Sequence, residues 1–188
     1  TGFTSGTDSV DVTDDETATV VIMDDGDAGF AETNFDYLAN PGKPGYETDW
    51  HRKKIATGSG EASWTFTGLS SGDYLVSATW RQDGSLARAS DAPYTFEDGG
   101  GTQLGTATGN QTLAPNDRTD SGANWEDLTT VTVTGGTLVV KLNESPGATG
   151  QVIADAVRIE RTGDATSALS VVIADASIGE GDGAAATT

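Results

Sequence analysis

The sequence predicts an all-β protein, an antiparallel β-sandwich with a jelly-roll-like topology. Short stretches alternate apolar residues with Thr, Ser or charged residues, as strands with one buried and one wet face do. Turn-forming motifs separate these stretches, among them SSGD, RQDG, TGG and ESPGATG. No segment has the apolar spacing of an amphipathic helix, so the predicted sheets are expected to pack on each other.

Five strands follow directly from this pattern, and each is rich in Val, Thr or aromatic residues that fit a pleated, half-buried surface. They are residues 62–69 (ASWTFTGL), 74–80 (YLVSATW), 129–135 (TTVTVTG), 137–142 (TLVVKL) and 151–160 (QVIADAVRIE). The pattern does not fix the order of the strands within the sheets.

The two ends of the chain differ from its middle. Residues 1–16 are polar and acidic, which predicts a linker or the end of a preceding repeat. A β-sandwich domain is predicted for 17–161, a linker for 162–168, and the first strand of a following repeat for 169–188. That last strand, LSVVIADA, must pair with this sandwich, with another domain or with another molecule, because a lone strand leaves its edges unsatisfied.

Charge and composition exclude several partners. The formal net charge of −19 opposes binding to nucleic acid and to anionic membranes. No apolar run approaches the roughly 20 residues that cross a bilayer, so membrane insertion is not expected. The absence of cysteine excludes thiolate catalysis and Cys-ligated metals. An acidic surface suits a medium rich in salt or divalent cations, which favours an extracellular or cell-surface location.

An acidic turn follows the apolar stretch VIM. In DDGDAGF, Asp24, Asp25 and Asp27 offer carboxylates beside free backbone carbonyls, the hard oxygen ligands that Ca²⁺ prefers. The spacing does not complete an EF-hand pattern. The alternative is a glycine-assisted turn in which the Asp side chains satisfy nearby amides.

A second acid interrupts an apolar strand. If IADAVRI alternates regularly, Asp155 shares one face with Ile153 and Val157 and is buried. A buried carboxylate must be hydrogen-bonded, paired or bound to metal, or its pKa rises. Asp155 is therefore either a metal ligand or an acceptor for the backbone amides of a neighbouring loop.

Candidate sugar-binding residues come from the aromatic and basic side chains. Tyr46, Trp50 and Arg52 lie near the only basic cluster of the acidic chain, and Trp80 ends a predicted strand. Aromatic rings can stack on the C–H face of a pyranose while polar groups bind its hydroxyls. The alternative for Trp50 is that it closes the edge of the sandwich, and Trp80 could equally belong to the core.

No catalytic residue is predicted. The single histidine, His51, has no recognisable nucleophile context, and it is expected to be an exposed strand or loop residue. Pairs of acids occur by chance in so acidic a chain, so they do not identify a glycosidase.

From about residue 20 to residue 160, the order of motifs resembles the golvesin C-terminal-like domain, a xanthan-lyase-type carbohydrate-binding-like domain. The motifs are VIMDDGDAGF, GSGEASWTFTGLSSGDYLVSATW, RASDAPYTFEDGG, NQTLAP, NWEDLTTVTVTGGTLVVKL and VIADAVRIE. By similarity to jelly-roll carbohydrate-binding modules, Asp155 would meet Asp24 or Asp27 at a structural Ca²⁺. ETATVVIMDD and LSVVIADASIGEGDG also resemble the closing and opening strands of Calx-beta-like repeats.

The sequence thus predicts a non-catalytic, extracellular, carbohydrate-binding-like module of a large secreted or cell-surface protein, stabilised by Ca²⁺. Its expected partners are a polysaccharide or neighbouring protein modules. The alternative is a structural repeat of a surface fibre or adhesin, which would form a homopolymer by strand addition.

Overall fold

The computed structural model describes residues 18–38, 45–53, 59–82, 84, 87–144 and 150–165. Within them the chain is built of short antiparallel strands, which confirms the predicted all-β sandwich. The regions predicted as a preceding repeat, 1–16, and a following repeat, 169–188, lie outside the described residues. Within the part of the chain that is described, no helix is long and apolar enough to cross a membrane.

The strands are β1 (Val20–Met23), β2 (Phe30–Thr33), β3 (Asp36–Tyr37), β4 (His51–Lys53), β5 (Glu61–Thr67), β6 (Gly72–Ala78), β7 (Ala92–Asp98), β8 (Gln103–Gly109), β9 (Arg118–Asp120), β10 (Ala123–Val133), β11 (Thr137–Asn143), β12 (Val152–Ala154) and β13 (Val157–Gly163). A short 3₁₀ turn, Tyr46–Thr48, precedes β4.

The strands form three sheets. The first sheet has the order β1-β13-β6-β10-β9, and the second has the order β2-β5-β11-β7-β8. A small third sheet, β12-β4-β3, adjoins them. All the strand pairs are antiparallel. The chain passes directly from one large sheet to the other after β1, β5, β6, β8 and β10, as expected when two sheets enclose one core.

The core lies between the two large sheets and follows the alternation seen in the sequence. In β5 every second side chain is buried, and Trp64 is among the largest of the fully buried residues. Other strands of both large sheets contribute in the same way, for example Val76 of β6 in the first sheet and Val140 of β11 in the second. The polar residues between them lie on the outer faces, so each sheet presents one apolar face to the other.

The predicted single strand 151–160 is wrong. It divides into β12 and β13, which belong to different sheets, with Asp155 and Ala156 between them. The Ala156 carbonyl accepts a hydrogen bond from the Thr79 amide (3.0 Å), and the Asp155 carbonyl accepts one from the Trp64 indole (3.2 Å). These bonds satisfy the backbone where the chain leaves one sheet for the next.

Other boundaries also differ from the prediction. The β7–β8 hairpin was not predicted, because QLGTATG in β8 lacks a clear apolar alternation. β10 begins at Ala123, six residues before the predicted start, after a tight hairpin turn in which Ser121 (φ 48°) and Gly122 (φ 80°) both have positive φ. The end of β13 at Gly163 also extends the sandwich into the predicted linker 162–168.

A buried amide joins the third sheet to the sandwich. Gln111 is fully buried; its side-chain nitrogen donates to the Ile153 carbonyl (2.8 Å), and its side-chain oxygen accepts from the Ile153 amide (2.8 Å). The side chain thus completes the backbone bonding of β12 as a strand would.

Gln111→Leu should lower the free energy of unfolding by about 2 kcal/mol or more, because it leaves two buried backbone groups of Ile153 without partners. Urea unfolding measures this change. The matched variant Gln103→Leu, at an exposed position of β8, should stay within about 0.5 kcal/mol of the wild type. Equal effects of the two substitutions would contradict the assignment.

Candidate functional site

An acidic cluster forms where two segments of the chain meet. Asp24 and Asp25 directly follow β1, and Asp49 directly follows the 3₁₀ turn. One carboxylate oxygen from each residue lies within 4.8 Å of the others. Asp24 and Asp25 are only 5% and 6% exposed, so water solvates these charges poorly.

Asp27 closes the turn and is not a member of the cluster. Its side chain accepts a hydrogen bond from the Asp24 amide (2.8 Å), and its carbonyl accepts one from the Phe30 amide (3.0 Å). Asp27 itself is exposed. Of the two interpretations of the acidic turn, the one with Asp side chains bonded to local amides therefore describes Asp27, whereas Asp24 and Asp25 lie in the cluster.

Asp155 lies beside this cluster and is 1% exposed. One of its oxygens accepts a hydrogen bond from the Tyr46 amide (2.9 Å), and the other has no hydrogen-bond partner within the described residues. Gly45 packs so closely that a Cβ there would lie 2.4 Å from the Asp155 Oδ2 atom and 2.2 Å from the Asp49 carbonyl. Any larger residue at position 45 would displace the turn that approaches Asp155.

The crowding raises the pKa of three carboxyl groups. Burial, followed by the charges of Asp24 and Asp49, raises the pKa of Asp25 to about 8. Burial is also the main cause that raises the pKa of Asp24 to about 6. The pKa of Asp155 is raised well above its usual value by burial and then by the charge of Asp25.

The only histidine of the chain does not supply the missing positive charge. His51 is 9% exposed, and its Nε2 atom lies 3.8 Å from the nearer Asp25 oxygen. Burial lowers the pKa of His51, which favours the neutral imidazole. The prediction that His51 is exposed is wrong, because its ring packs between Phe30 and Tyr37, each at 5.2 Å between ring centroids.

The donor set of the cluster fits a hard divalent cation. The Asp24 Oδ1 and Asp155 Oδ2 atoms have no hydrogen-bond partner among the described residues, and neither Asp25 oxygen makes a hydrogen bond of good geometry. A backbone contact with His51 only partly offsets the rise in the Asp25 pKa. Buried carboxylate oxygens without donors are suited to Ca²⁺, which takes about six to eight oxygen ligands.

A polar cleft of about 600 Å³ adjoins the cluster. Asp155 and Gly45 lie in its lining, next to Tyr46. Other side chains of the lining that can donate or accept hydrogen bonds include Arg81, Gln82 and Asn124. Tyr46 is half-buried, and its ring is tilted against Trp125 at 5.6 Å between centroids.

The four predicted sugar-binding residues do not form one surface. Tyr46 and Trp80 both line the cleft, but Trp80 is only 4% exposed and its indole donates to the Leu113 carbonyl (2.8 Å). Trp50 is also 4% exposed, and the guanidinium of Arg88 lies over its ring at 5.1 Å. Arg52 is not in the cleft lining; it pairs with Asp36 at 3.6 Å. The buried Trp50 and Trp80 rings are thus not open for stacking on a sugar.

Several site residues were missed from the sequence. Asp49 was overlooked because nothing in YETDWH distinguishes it from the other acids of the chain. Arg81, Gln82 and Asn124 come from two distant segments that follow or begin strands, and only the fold brings them together.

Comparisons with known proteins identify the family. The model of the golvesin C-terminal domain matches residues 21–161, so the chain belongs to the golvesin C-terminal domain family. This confirms the resemblance drawn from the sequence motifs. A search of functionally curated proteins found no match.

Solved structures give a second comparison. The chain is similar to part of a xanthan lyase from Paenibacillus, with 25% identity and a TM-score of 0.60 over 77% of this chain and 13% of the lyase chain. It is also similar in fold to a family 35 carbohydrate binding module from Clostridium thermocellum, with 14% identity and a TM-score of 0.51 over 75% of this chain and 97% of that module. This chain therefore spans only a small part of the lyase.

Asp25→Asn and Asp27→Asn test which acids hold a cation. Addition of CaCl₂ to EDTA-treated wild-type protein should raise the melting temperature, because a cation that binds only the folded state stabilises it. Asp25→Asn should lose most of this rise. Asp27→Asn should keep it, since an amide oxygen still accepts the Asp24 amide bond. Loss of the rise in Asp27→Asn alone would contradict the assignment.

In EDTA, the stability of the protein should fall as the pH rises from about 4 to 8. The folded pKa values of Asp24 and Asp25 lie above their ordinary value of 3.8, so the folded state binds more protons than the unfolded state in this range. Their contribution is present at low pH and is lost as each group ionises, near pH 6 and pH 8. Thermal melts measure the slope.

Asp25→Asn is the control for this pH dependence, because it removes one titrating group but leaves the other acids of the chain in place. Its melting temperature should fall less steeply between pH 6 and pH 8. An unchanged slope would show that the overall negative charge, and not the cluster, determines the trend.

Proposed function

We propose that this chain is a non-catalytic carbohydrate-binding module whose aspartate cluster holds a structural Ca²⁺ ion. The supporting observation is the position of buried, unsatisfied carboxylates beside a polar cleft, in a fold similar to that of a carbohydrate binding module. The fold likeness gives no support to the alternative of a fibre repeat.

The cation would be held by Asp24, Asp25, Asp49 and Asp155. Its positive charge would keep these groups ionised and offset their mutual repulsion. The same residues fix both ends of the segment 46–49. The Asp155 carboxylate accepts a hydrogen bond from the Tyr46 amide at its start, and Asp49 lies at its end. The role proposed for the ion is structural, because the residues that would hold it are mostly buried.

The adjoining cleft is the proposed glycan site. Sugars combine apolar C–H faces with a rim of hydroxyls, and such ligands need both an aromatic side chain and several hydrogen-bonding groups. Tyr46 supplies the aromatic ring, while Arg81, Gln82 and Asn124 supply polar groups.

Binding without catalysis is supported by the placement of the titratable groups. Of the three carboxyl groups with raised pKa values, only Asp155 lies in the cleft lining, so no two of them face each other across the cleft. The nearest side-chain contacts of His51 are two carboxylates and two aromatic rings. We place the module in a secreted or cell-surface protein, where millimolar Ca²⁺ and polysaccharides occur together.

Affinity electrophoresis in gels that contain xanthan, as an acidic polysaccharide, or a neutral β-glucan tests this function. Wild-type protein should be retarded, and Arg81→Ala or Asn124→Ala should weaken the retardation about tenfold, the effect of one lost polar contact. Arg52→Ala is the matched control, because this arginine is not in the cleft lining. Binding by neither polysaccharide, or equal losses in Arg52→Ala and Arg81→Ala, would contradict the proposed site.

A further inference from the structure

A second, apolar groove of about 650 Å³ opens between the two large sheets on the side where β1 and β2 form their edges. Val21 and Met23 of β1 line one wall, and Phe30 of β2 lines the other. Phe66 of β5 and Leu69, which follows that strand, complete the apolar lining. The sandwich is thus open along this side, and its apolar interior reaches the surface.

The strand at the edge of this groove is short but carries no charged residue and no proline. All four residues of β1 are apolar, and Val20 and Val21 are 40% and 36% exposed. Within the described part of the chain, β1 pairs with β13 on one side and with no strand on the other. Edge strands normally contain few apolar residues or carry charges, because an open apolar edge attracts another strand.

The described chain ends at the mouth of this groove. Near the end of β13, the Arg161 amide donates to the Thr19 carbonyl just before β1 (3.0 Å). The Arg161 guanidinium donates to the Ser71 carbonyl (2.8 Å), and Leu69, two residues earlier, lines the groove. The residues after Gly163 therefore begin beside both walls of the opening.

The sequence beyond this point provides a strand of suitable length and chemistry. Residues 164–168 can span about 16 Å when extended, whereas a strand on the open side of β1 would lie two strand spacings, roughly 9.6 Å, from β13. The following segment, LSVVIADA (169–176), is the apolar stretch that the sequence predicts as a strand. It can therefore reach the open side of β1 without any distortion of β13.

We propose that residues 169–176 of the same chain lie along the open edge of β1 and cover the apolar groove. Since β13 is antiparallel to β1, a segment that turns back after β13 runs parallel to β1. The residues before β1 are poorer candidates, because they are acidic and lead directly into the strand that they would have to cover. The proposal assigns the strand predicted for a following repeat to this sandwich.

Cysteine pairs in the full chain, which has no cysteine of its own, test this arrangement. Val21→Cys is combined in turn with Val171→Cys, Val172→Cys and Ile173→Cys. Mild oxidation should give an intramolecular disulfide in the monomer, with yields that alternate along the three positions because successive side chains of a strand face opposite ways. Mass spectrometry of the separated monomer identifies the bond.

Thr106→Cys replaces Val21→Cys in the matched control, because it is exposed on β8 at the opposite edge of the same sandwich. It should give several-fold less cross-linking with each partner. Equal yields from positions 21 and 106 would overturn the proposal. Disulfides found only between two molecules would also overturn it, and would show that the edge accepts a strand from a second copy.

Hydrogen exchange provides a second measure that needs no cysteine. In the wild-type chain the β1 amides should exchange at least about 100-fold more slowly than in the double variant Val171→Asp, Ile173→Asp. Ala185→Asp, in the tail, is the control and should leave the β1 protection unchanged. Equal β1 exchange in wild type and double variant would contradict the docking of residues 169–176. None of these outcomes depends on the proposed glycan site.

Discussion

The burial of several like charges at one point is the constraint on which the rest of the site depends. Asp24 and Asp25 at the end of β1, Asp49 before β4 and Asp155 between β12 and β13 bring three separate segments together. Buried carboxylates repel one another and lose their hydration. Their ionisation therefore destabilises the folded protein. A bound cation would reverse this effect, because the same oxygens would then attract one shared charge.

The short segment that begins at Gly45 links the cluster to the cleft. Gly45 has no side chain and so permits the close approach of this segment to Asp155. The Tyr46 amide donates a hydrogen bond to Asp155, and the Tyr46 ring lies in the cleft lining. Asp49, at the end of the segment, is a member of the cluster. The wall of the proposed glycan site is therefore built on the same residues that would hold the ion. Loss of the cation would therefore shift the backbone that forms the cleft wall. No direct contact between metal and sugar is needed for this effect.

Much of the fold and three of the four proposed metal ligands could be predicted from local pattern, but most of the cleft could not. Alternation in ASWTFTGL predicted β5 because its side chains face one core and one solvent surface. Asp155 was recognised because a charge among apolar neighbours is unusual, although the division of its strand between two sheets was missed. Asp49 and Asn124 gave no local signal, since their neighbours come from distant parts of the chain. Trp50 and Trp80 were predicted to bind sugar from their residue type. Both rings are buried, and a ring must be exposed to stack on a sugar.

Calorimetric titration of EDTA-treated protein with CaCl₂ at pH 7, in two buffers of different ionisation enthalpy, tests the central claim most directly. One ion should bind per chain with release of about one proton or more, because Asp25, with a pKa of about 8, must ionise to become a ligand. Saturable binding at one site with a buffer-dependent heat is the predicted result. The absence of saturable binding, or binding whose heat is the same in both buffers, would contradict it.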